Sequence, residues 1–479
     1  MVLSRCFRAA APGALLVALA LPSTALVAGT WDVVPRVSIN QIYSDNINLA
    51  PKGDEDSEWV TRLDAGVGLL REGPRTRARI GYNLVGLAYW EDSDENDVFH
   101  QLDANGRAIF VPERLFVEAA ASYDQRLRTR DGRTGDLVNL GVDRTDVFRF
   151  QVTPVYVQQF EDWATGELRY TYDRVDYAEP DARDTDSERN RVLARLDSGP
   201  VFSTFGWSFS FDWSETDFDD GSSVTFQTAE ALGRWNVTER FSLFGAVGDE
   251  RNTFEQDPRR ARPDDTFWRA GGTFEPASRT LVEGFFGERF FGTTYGGALR
   301  HRIRDGNLFA DYNEELRTAN EINVAPIRDA DGELIFDGET GRPIFELPDV
   351  RSGVFLSKRL SAGLTLRRPK TRIGLRAYDE SREYEVTDRS ERAKGVIGDI
   401  SWRVQPRTEI FLFARFEETT FEDQRDRKDK LLTSRIGVSR DLGQNMAATL
   451  EYGYRERDST ESFRDYTENR LTATLTKTF

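Results

Sequence analysis

Cysteine is almost missing from this chain: Cys6 is the only one in 479 residues. It stands ahead of an apolar run over 9–21, on the wrong side to be the lipidated cysteine of a lipoprotein. With the N-terminal segment removed, no disulfide or thiol chemistry is available. Histidine is scarce too, with only His100 and His301. Structural zinc needs clustered Cys or His, which this composition does not supply. Each histidine shares strand parity with apolar neighbours, His100 with Leu102 and Ala104, His301 with Leu299 and Ile303. That parity aims both away from any polar interior, so a Ser-His or His-Asp catalytic pair is not expected. The body of the chain also lacks the roughly 20 consecutive apolar residues of a membrane-spanning helix. The formal net charge of -17 argues against nucleic acid as a partner. "DADG" at 329–332 places its glycine too early for an EF-hand loop, and "GVG" at 66–68 lacks the third glycine of a dinucleotide loop. No catalytic residue, cofactor or metal site is expected, and the chain is not expected to be an enzyme.

The N-terminus reads as a secretory signal peptide over 1–25. Arg5 and Arg8 precede the apolar run, and Ser23-Thr24-Ala25 supplies a small-x-small cleavage site. Residues 26–479 then form one domain.

What the chain has in abundance is alternation. In "FGWSFSFDW" (205–213), Phe205, Trp207, Phe209, Phe211 and Trp213 alternate with Gly206, Ser208, Ser210 and Asp212. Period two makes this a strand with one apolar and one polar face. The same pattern runs through Ala78, Ile80, Tyr82 and Leu84, through Val117, Ala119 and Ala121, and through Ala448, Leu450 and Tyr452. Segments of about 10 to 14 residues suit tilted strands crossing a bilayer. In a soluble sandwich each apolar face needs a covering sheet, and nothing is left over to cover them all. A soluble multi-domain β-protein is the alternative. Lipid is the economical cover, with Trp207 and Phe209 expected near mid-membrane.

Connections alternate in length. Short turns fall at 72–74, 112–114, 197–200, 237–239, 276–278, 368–370 and 405–407. Long acidic loops fall at 91–97, 178–188, 217–223 and 254–265. Short periplasmic turns with long external loops are the outer-membrane arrangement. The expected fold is all-β: a transmembrane antiparallel up-and-down barrel of about 20–22 strands, both termini periplasmic. The first strand falls near 33–43, and the weakest pair is 295–303 with 307–317.

Three segments carry a family resemblance. These are "QIYSDNINLAP" (41–51), "WVTRLDAGVGLLREG" (59–73) and "YTENRLTATLTKTF" (466–479). They resemble the outer-membrane β-barrel proteins of PEP-CTERM/exosortase systems, which accompany exopolysaccharide loci. In the last segment Leu471, Leu475 and the terminal Phe479 match an outer-membrane assembly signal, while Lys477 departs from it. The resemblance implies a bacterial outer-membrane, porin-like barrel linked to envelope or exopolysaccharide biology, and no catalytic residues.

The expected partners are outer-membrane lipid and lipopolysaccharide, the barrel assembly machinery, and exopolysaccharide export components. Candidate functional residues are the basic ones at inward parity: Arg75, Arg77 and Arg79 on one strand, Arg372 and Arg376 on another. Lumenal arginines favour anions or polar sugars. Alternatively they pair with inward acids, as Arg62 does with nearby Asp64, and simply fill the barrel. A barrel this wide needs narrowing, since known 22-stranded barrels hold a plug and strand pattern here begins by Val33. Long side chains, the loop over 319–350 or a partner would narrow it. Two functions follow: a porin-like channel for polar solutes or saccharides, or a non-conducting scaffold or export partner of an exopolysaccharide assembly. An outer-membrane hydrolase comes third, for want of a base.

Overall fold

The computed structural model describes residues 30–128, 132–178, 186–257, 262–318, 353–386, 389–422 and 427–479. The expected signal peptide over 1–25 and the loop over 319–350 lie outside them. Among the described residues, twenty-two antiparallel strands form one sheet. In chain order they are β1 (Trp31–Ser44), β2 (Glu58–Glu72), β3 (Thr76–Tyr89), β4 (Asp97–Val111), β5 (Leu115–Leu127), β6 (Arg144–Phe160), β7 (Ala164–Tyr177) and β8 (Ser187–Ser198). Then come β9 (Phe205–Phe218), β10 (Ser223–Thr238), β11 (Phe241–Thr253), β12 (Asp264–Ala277), β13 (Thr280–Arg289), β14 (Gly292–Ile303) and β15 (Gly306–Thr318). The last seven are β16 (Val354–Arg368), β17 (Thr371–Tyr384), β18 (Ser390–Gln405), β19 (Thr408–Phe421), β20 (Arg427–Gly443), β21 (Met446–Ser459) and β22 (Tyr466–Thr478).

Each strand pairs with its sequence neighbours. The first and last pair with each other, from Arg36 opposite Thr478 to Ser44 opposite Arg470. That closure leaves no edge, so the backbone donors and acceptors of β1 and β22 are matched inside the sheet. The strand count is the upper of the two expected. The doubtful pair forms as β14 and β15, with Ile303 opposite Gly306 across a tight turn. Both termini of the barrel lie at the short-turn end.

Followed around the barrel, the register keeps one parity inside throughout. Ser210 faces Glu230, Glu230 faces Gly248, and Gly248 faces Phe267. On the other face lie the exposed apolar side chains, among them Leu63, Phe209, Val247, Phe286, Leu360, Leu450 and Leu475. The inner face carries buried charge: Glu58, Glu380, Arg382 and Arg427 are at most 2% exposed. A closed sheet has only two faces, and charge this buried belongs to the enclosed one. The outer apolar face belongs to lipid. Even strand number, short turns at one end, long loops at the other and an apolar outer band are the features of an outer-membrane barrel. The protein is therefore a bacterial outer-membrane barrel.

Aromatic girdles mark both ends. At the external end Trp59 lies between Tyr43 and Trp90, at centroid distances of 5.0 and 6.3 Å. At the periplasmic end Trp163, Phe202 and Trp207 cluster within 5.3–6.3 Å, and Phe205 stacks on Trp235. Trp207 is thus an interfacial residue, not a mid-membrane one. It is the third residue of its strand, and its indole finds aromatic partners at the turn. Lys477, the odd residue of the C-terminal pattern, points outward at the periplasmic rim. There its ammonium bonds the Gln444 carbonyl and lies 5.7 Å from the Phe479 ring centre. A long cationic side chain reaching for the interface satisfies an outward position near a strand end.

The two faces predict opposite tolerance. Phe209→Arg, on the lipid face, should lower stability in bilayers by about 2–4 kcal/mol. Ser208→Arg, one residue away on the lumen face, should change it by about 0.5 kcal/mol or less. Denaturant unfolding in lipid vesicles measures both, and equal losses would contradict the face assignment.

Candidate functional site

Two features occupy the lumen. The first is a segment that enters it. The connection between β5 and β6, "GRTGDLVNLGVD" (132–143), does not project outward as an acidic external loop would. Its apolar residues drive it inward. Val138 is buried against Ile42, Val60, Val85, Leu87 and Tyr89 from the inner faces of β1, β2 and β3. Ile47, from the connection after β1, joins the same cluster. The Tyr89 hydroxyl donates to the Val138 carbonyl at 2.8 Å. Gly135 has no room for a side chain, because a Cβ there would lie 2.6 Å from Val142 and 2.7 Å from the Asn139 amide oxygen.

Charge fixes the segment to the far wall. The Asp136 carboxylate accepts from Arg470 at 2.5 Å and Arg455 at 3.5 Å. Glu468 continues the network to Arg455 at 3.2 Å and Arg470 at 2.8 Å, and also accepts from Ser44 and Asn139. Burial works to raise the pKa of Asp136, but Arg470 and Arg455 outweigh it and hold the carboxyl well below the usual carboxylate range. The segment therefore bridges from β5 and β6 to β21 and β22 across the inner faces of β1–β3.

The quoted motif "SDNINLAP" supplies the counterpart. Asn46 ties its own turn by accepting from the Ala50 amide and donating to the Ala50 carbonyl, both at 2.8 Å. It also donates to the Thr467 carbonyl at 2.9 Å. Leu140 donates its amide to the Ile47 carbonyl, and Arg133 donates to the Asn48 carbonyl at 2.8 Å. The motif is thus a clasp that receives the inward segment.

The second feature is a basic wall. A cavity of about 640 Å³ opens on the inner faces of β2–β8. Six inward arginines line it: Arg77, Arg79, Arg107, Arg169, Arg189 and Arg191. Glu72 and Glu118 are the inward acids of the same lining. Arg169 pairs with Glu118 at 3.3 Å and Glu167 at 3.2 Å. Arg189 lies 3.6 Å from Asp173, and Arg191 pairs with Asp212. Arg77, Arg79 and Arg107 are exposed to the lumen, and none is ion-paired with a described residue. Arg77 stands directly opposite Arg107 on the next strand. Arg107 lies over the Phe116 ring at 3.8 Å.

Of the candidates from sequence, Arg77 and Arg79 reach this wall. Arg75 is exposed at the periplasmic turn before β3. Arg372 and Arg376 face the lumen on β17, about half the circumference away, opposite Arg367 and Gly363. The space-filling alternative holds for other arginines. Arg62 pairs with Asp64 at 2.8 Å, Arg382 with Glu380 at 2.9 Å, and Arg415 with Glu417 at 3.0 Å, all largely buried. The lumen is therefore divided between a wall of closed ion pairs and a wall with open cationic groups. His100 and His301 sit on the outer face, bonded to Tyr82 and Thr280 at 2.6 and 2.8 Å.

Sequence reasoning missed the inward segment. Leu137, Val138, Leu140 and Val142 set it apart from the acidic external loops and were the available signal.

No protein-family model matches this chain, and no curated protein does. Among solved structures, a ferric enterobactin receptor mutant (PfeA) from Pseudomonas aeruginosa is 9% identical, with a TM-score of 0.47, over 94% of this chain and 80% of that one. The siderophore receptor PirA from Acinetobacter baumannii is 10% identical at a TM-score of 0.49, over 94% and 81%. A loop-deleted OmpT, an outer membrane protein of Vibrio cholerae, is 9% identical at 0.35, over 94% and 100%. These likenesses are remote and assign no ligand.

Asp136→Asn should loosen the inward segment. Hydrogen exchange of the 136–140 amides in the folded barrel should speed up at least tenfold, with the strands unaffected. In the unaltered protein the depressed carboxyl keeps its stabilising pairing above the ordinary Asp value of about 3.9. The pairing is lost only as pH falls through the much lower folded value. Protection of 136–140 should therefore persist unchanged from pH 7 to pH 4.

Proposed function

We propose that this protein is a porin-like channel that passes polar solutes or saccharides across the outer membrane, rather than a catalyst. One observation carries the reading: charged and amide side chains of the β2–β8 wall, including Arg77, Arg79, Asp103 and Asn105, are exposed on the inner face. Exposed charge inside a closed barrel means water there, and a continuous watery lumen is a route for hydrophilic solutes. The inward segment supplies the narrowing that a barrel of this size needs to keep the envelope sealed.

The runner-up is a non-conducting barrel that acts as scaffold or export partner of an exopolysaccharide assembly. It is supported by the clasped segment, which fills part of the external mouth. The likeness of 41–51, 59–73 and 466–479 to barrels of PEP-CTERM/exosortase systems supports a link to exopolysaccharide biology under either reading.

Single-channel recording in planar bilayers separates the two. The channel reading expects stable open-state currents, and larger ones when residues 134–142 are replaced by a short Gly-Ser turn. A folded, heat-modifiable barrel that carries no current in either form would overturn it in favour of the scaffold.

A further inference from the structure

The basic wall is built for more than general wetting. The protein as a whole is acidic, at a net charge of -17. Against that background one lumenal cavity gathers six arginines and two glutamates on its inward face. Burial of ion pairs elsewhere in the lumen shows that this sequence places acids beside arginines readily. Here it does not. Glu118 lies directly across from Arg107, yet its carboxylate turns to Arg169 on β7. Glu72 lies directly across from Arg77 and forms no ion pair with it. Arg77 and Arg107 face each other as like charges, an arrangement that destabilises a strand pair unless an anion sits between them.

The lining also carries neutral hydrogen-bonding groups. Asn105 and Gln151 present amides, Ala120 leaves space between them, and the buried Thr153 and Thr171 hydroxyls behind them bond each other at 3.2 Å. Guanidinium groups suit carboxylate or phosphate oxygens in paired hydrogen bonds. Amides and hydroxyls suit sugar hydroxyls. A volume of about 640 Å³ is within the range of small-molecule sites.

We propose that Arg77, Arg79 and Arg107 form a lumenal binding site for an acidic saccharide, its carboxylate or phosphate held by the arginines and its hydroxyls by Asn105 and Gln151. This deepens the channel reading by naming its solute class, and it rests on that reading for transport but not for binding. The shared chemistry is an anionic group on a polyhydroxylated frame. Free phosphate offers the first without the second.

The test is calorimetric titration of the folded, detergent-solubilised barrel with oligogalacturonate, a neutral maltooligosaccharide of equal length, and inorganic phosphate. Oligogalacturonate should bind at least tenfold more tightly than either control, and less tightly as salt is raised. The triple variant Arg77→Gln/Arg79→Gln/Arg107→Gln should lose at least tenfold in that affinity. Because the change removes like-charge repulsion and strands no acid, the variant should fold and resist denaturant at least as well as the parent. Arg251→Gln, far from the cavity, should leave binding unaltered. Equal binding of the neutral oligosaccharide would overturn the role of the arginines. Phosphate binding as tightly as oligogalacturonate would reduce the site to a general anion site and overturn the saccharide assignment. Current without oligogalacturonate binding overturns this inference and leaves the channel standing. Binding without current overturns the channel and leaves the site.

Discussion

Everything in this structure depends on closing the backbone hydrogen bonds of β1 against β22. An open sheet of this size would expose two rows of unpaired amides and carbonyls to lipid, at several kcal/mol for each unsatisfied group. The nine residue pairs from Arg36–Thr478 to Ser44–Arg470 remove both edges together. Closure then fixes the rest. A strand in a closed sheet has an inside and an outside, and period-two alternation decides which residues go where. Phe209 and Ser208 are neighbours in sequence and are placed in lipid and water respectively.

The lumen is the more unusual half of the design. It is wide enough that strands alone cannot fill it. The chain responds on two levels. Arginines and acids pair across adjacent strands, as Arg359 with Glu380 and Arg457 with Asp429. The 132–143 segment folds in and brings its own apolar cluster, an inclusion of core inside a polar tube. The buried network around Asp136 and Glu468 fastens it. Removing one partner from such a network leaves buried charge uncompensated, which costs more than the intact pairing gains. The clamp therefore specifies one position for the segment more than it adds stability.

Much of this was legible in the amino-acid sequence, for a physical reason. Alternation, turn length and parity are local, and the fold class, the strand pair at β14 and β15, the periplasmic termini and the inward direction of Arg77 and Arg79 follow from them. The rest is long-range. Asp136 meets Arg455 and Arg470 across more than 300 residues, and no period in the sequence announces that meeting. Long side chains, the 319–350 loop or a partner are the expected sources of narrowing; that loop lies outside the described residues, and among them 132–143 narrows the lumen. The motif at 44–51 could be recognised as a resemblance but not understood, because its role appears only beside Leu140 and Val138. Trp207 was placed too deep, because parity reports the face of a strand and not the depth along it. Parity is equally silent on pairing: Arg62 and Arg77 both point inward, and each has an acid beside it, but only Arg62 closes an ion pair.

The central claim is that one strand face meets water and the other meets lipid. Single cysteines at Arg77, Ala78, Arg79 and Ile80, each in a chain whose one native cysteine is removed by Cys6→Ser, test it most directly. Reconstituted in vesicles, the four variants are treated with a charged, membrane-impermeant thiol reagent. The account predicts fast labelling at 77 and 79 and protection at 78 and 80. Uniform labelling, or protection at all four positions, would contradict a water-filled lumen behind a lipid-facing wall.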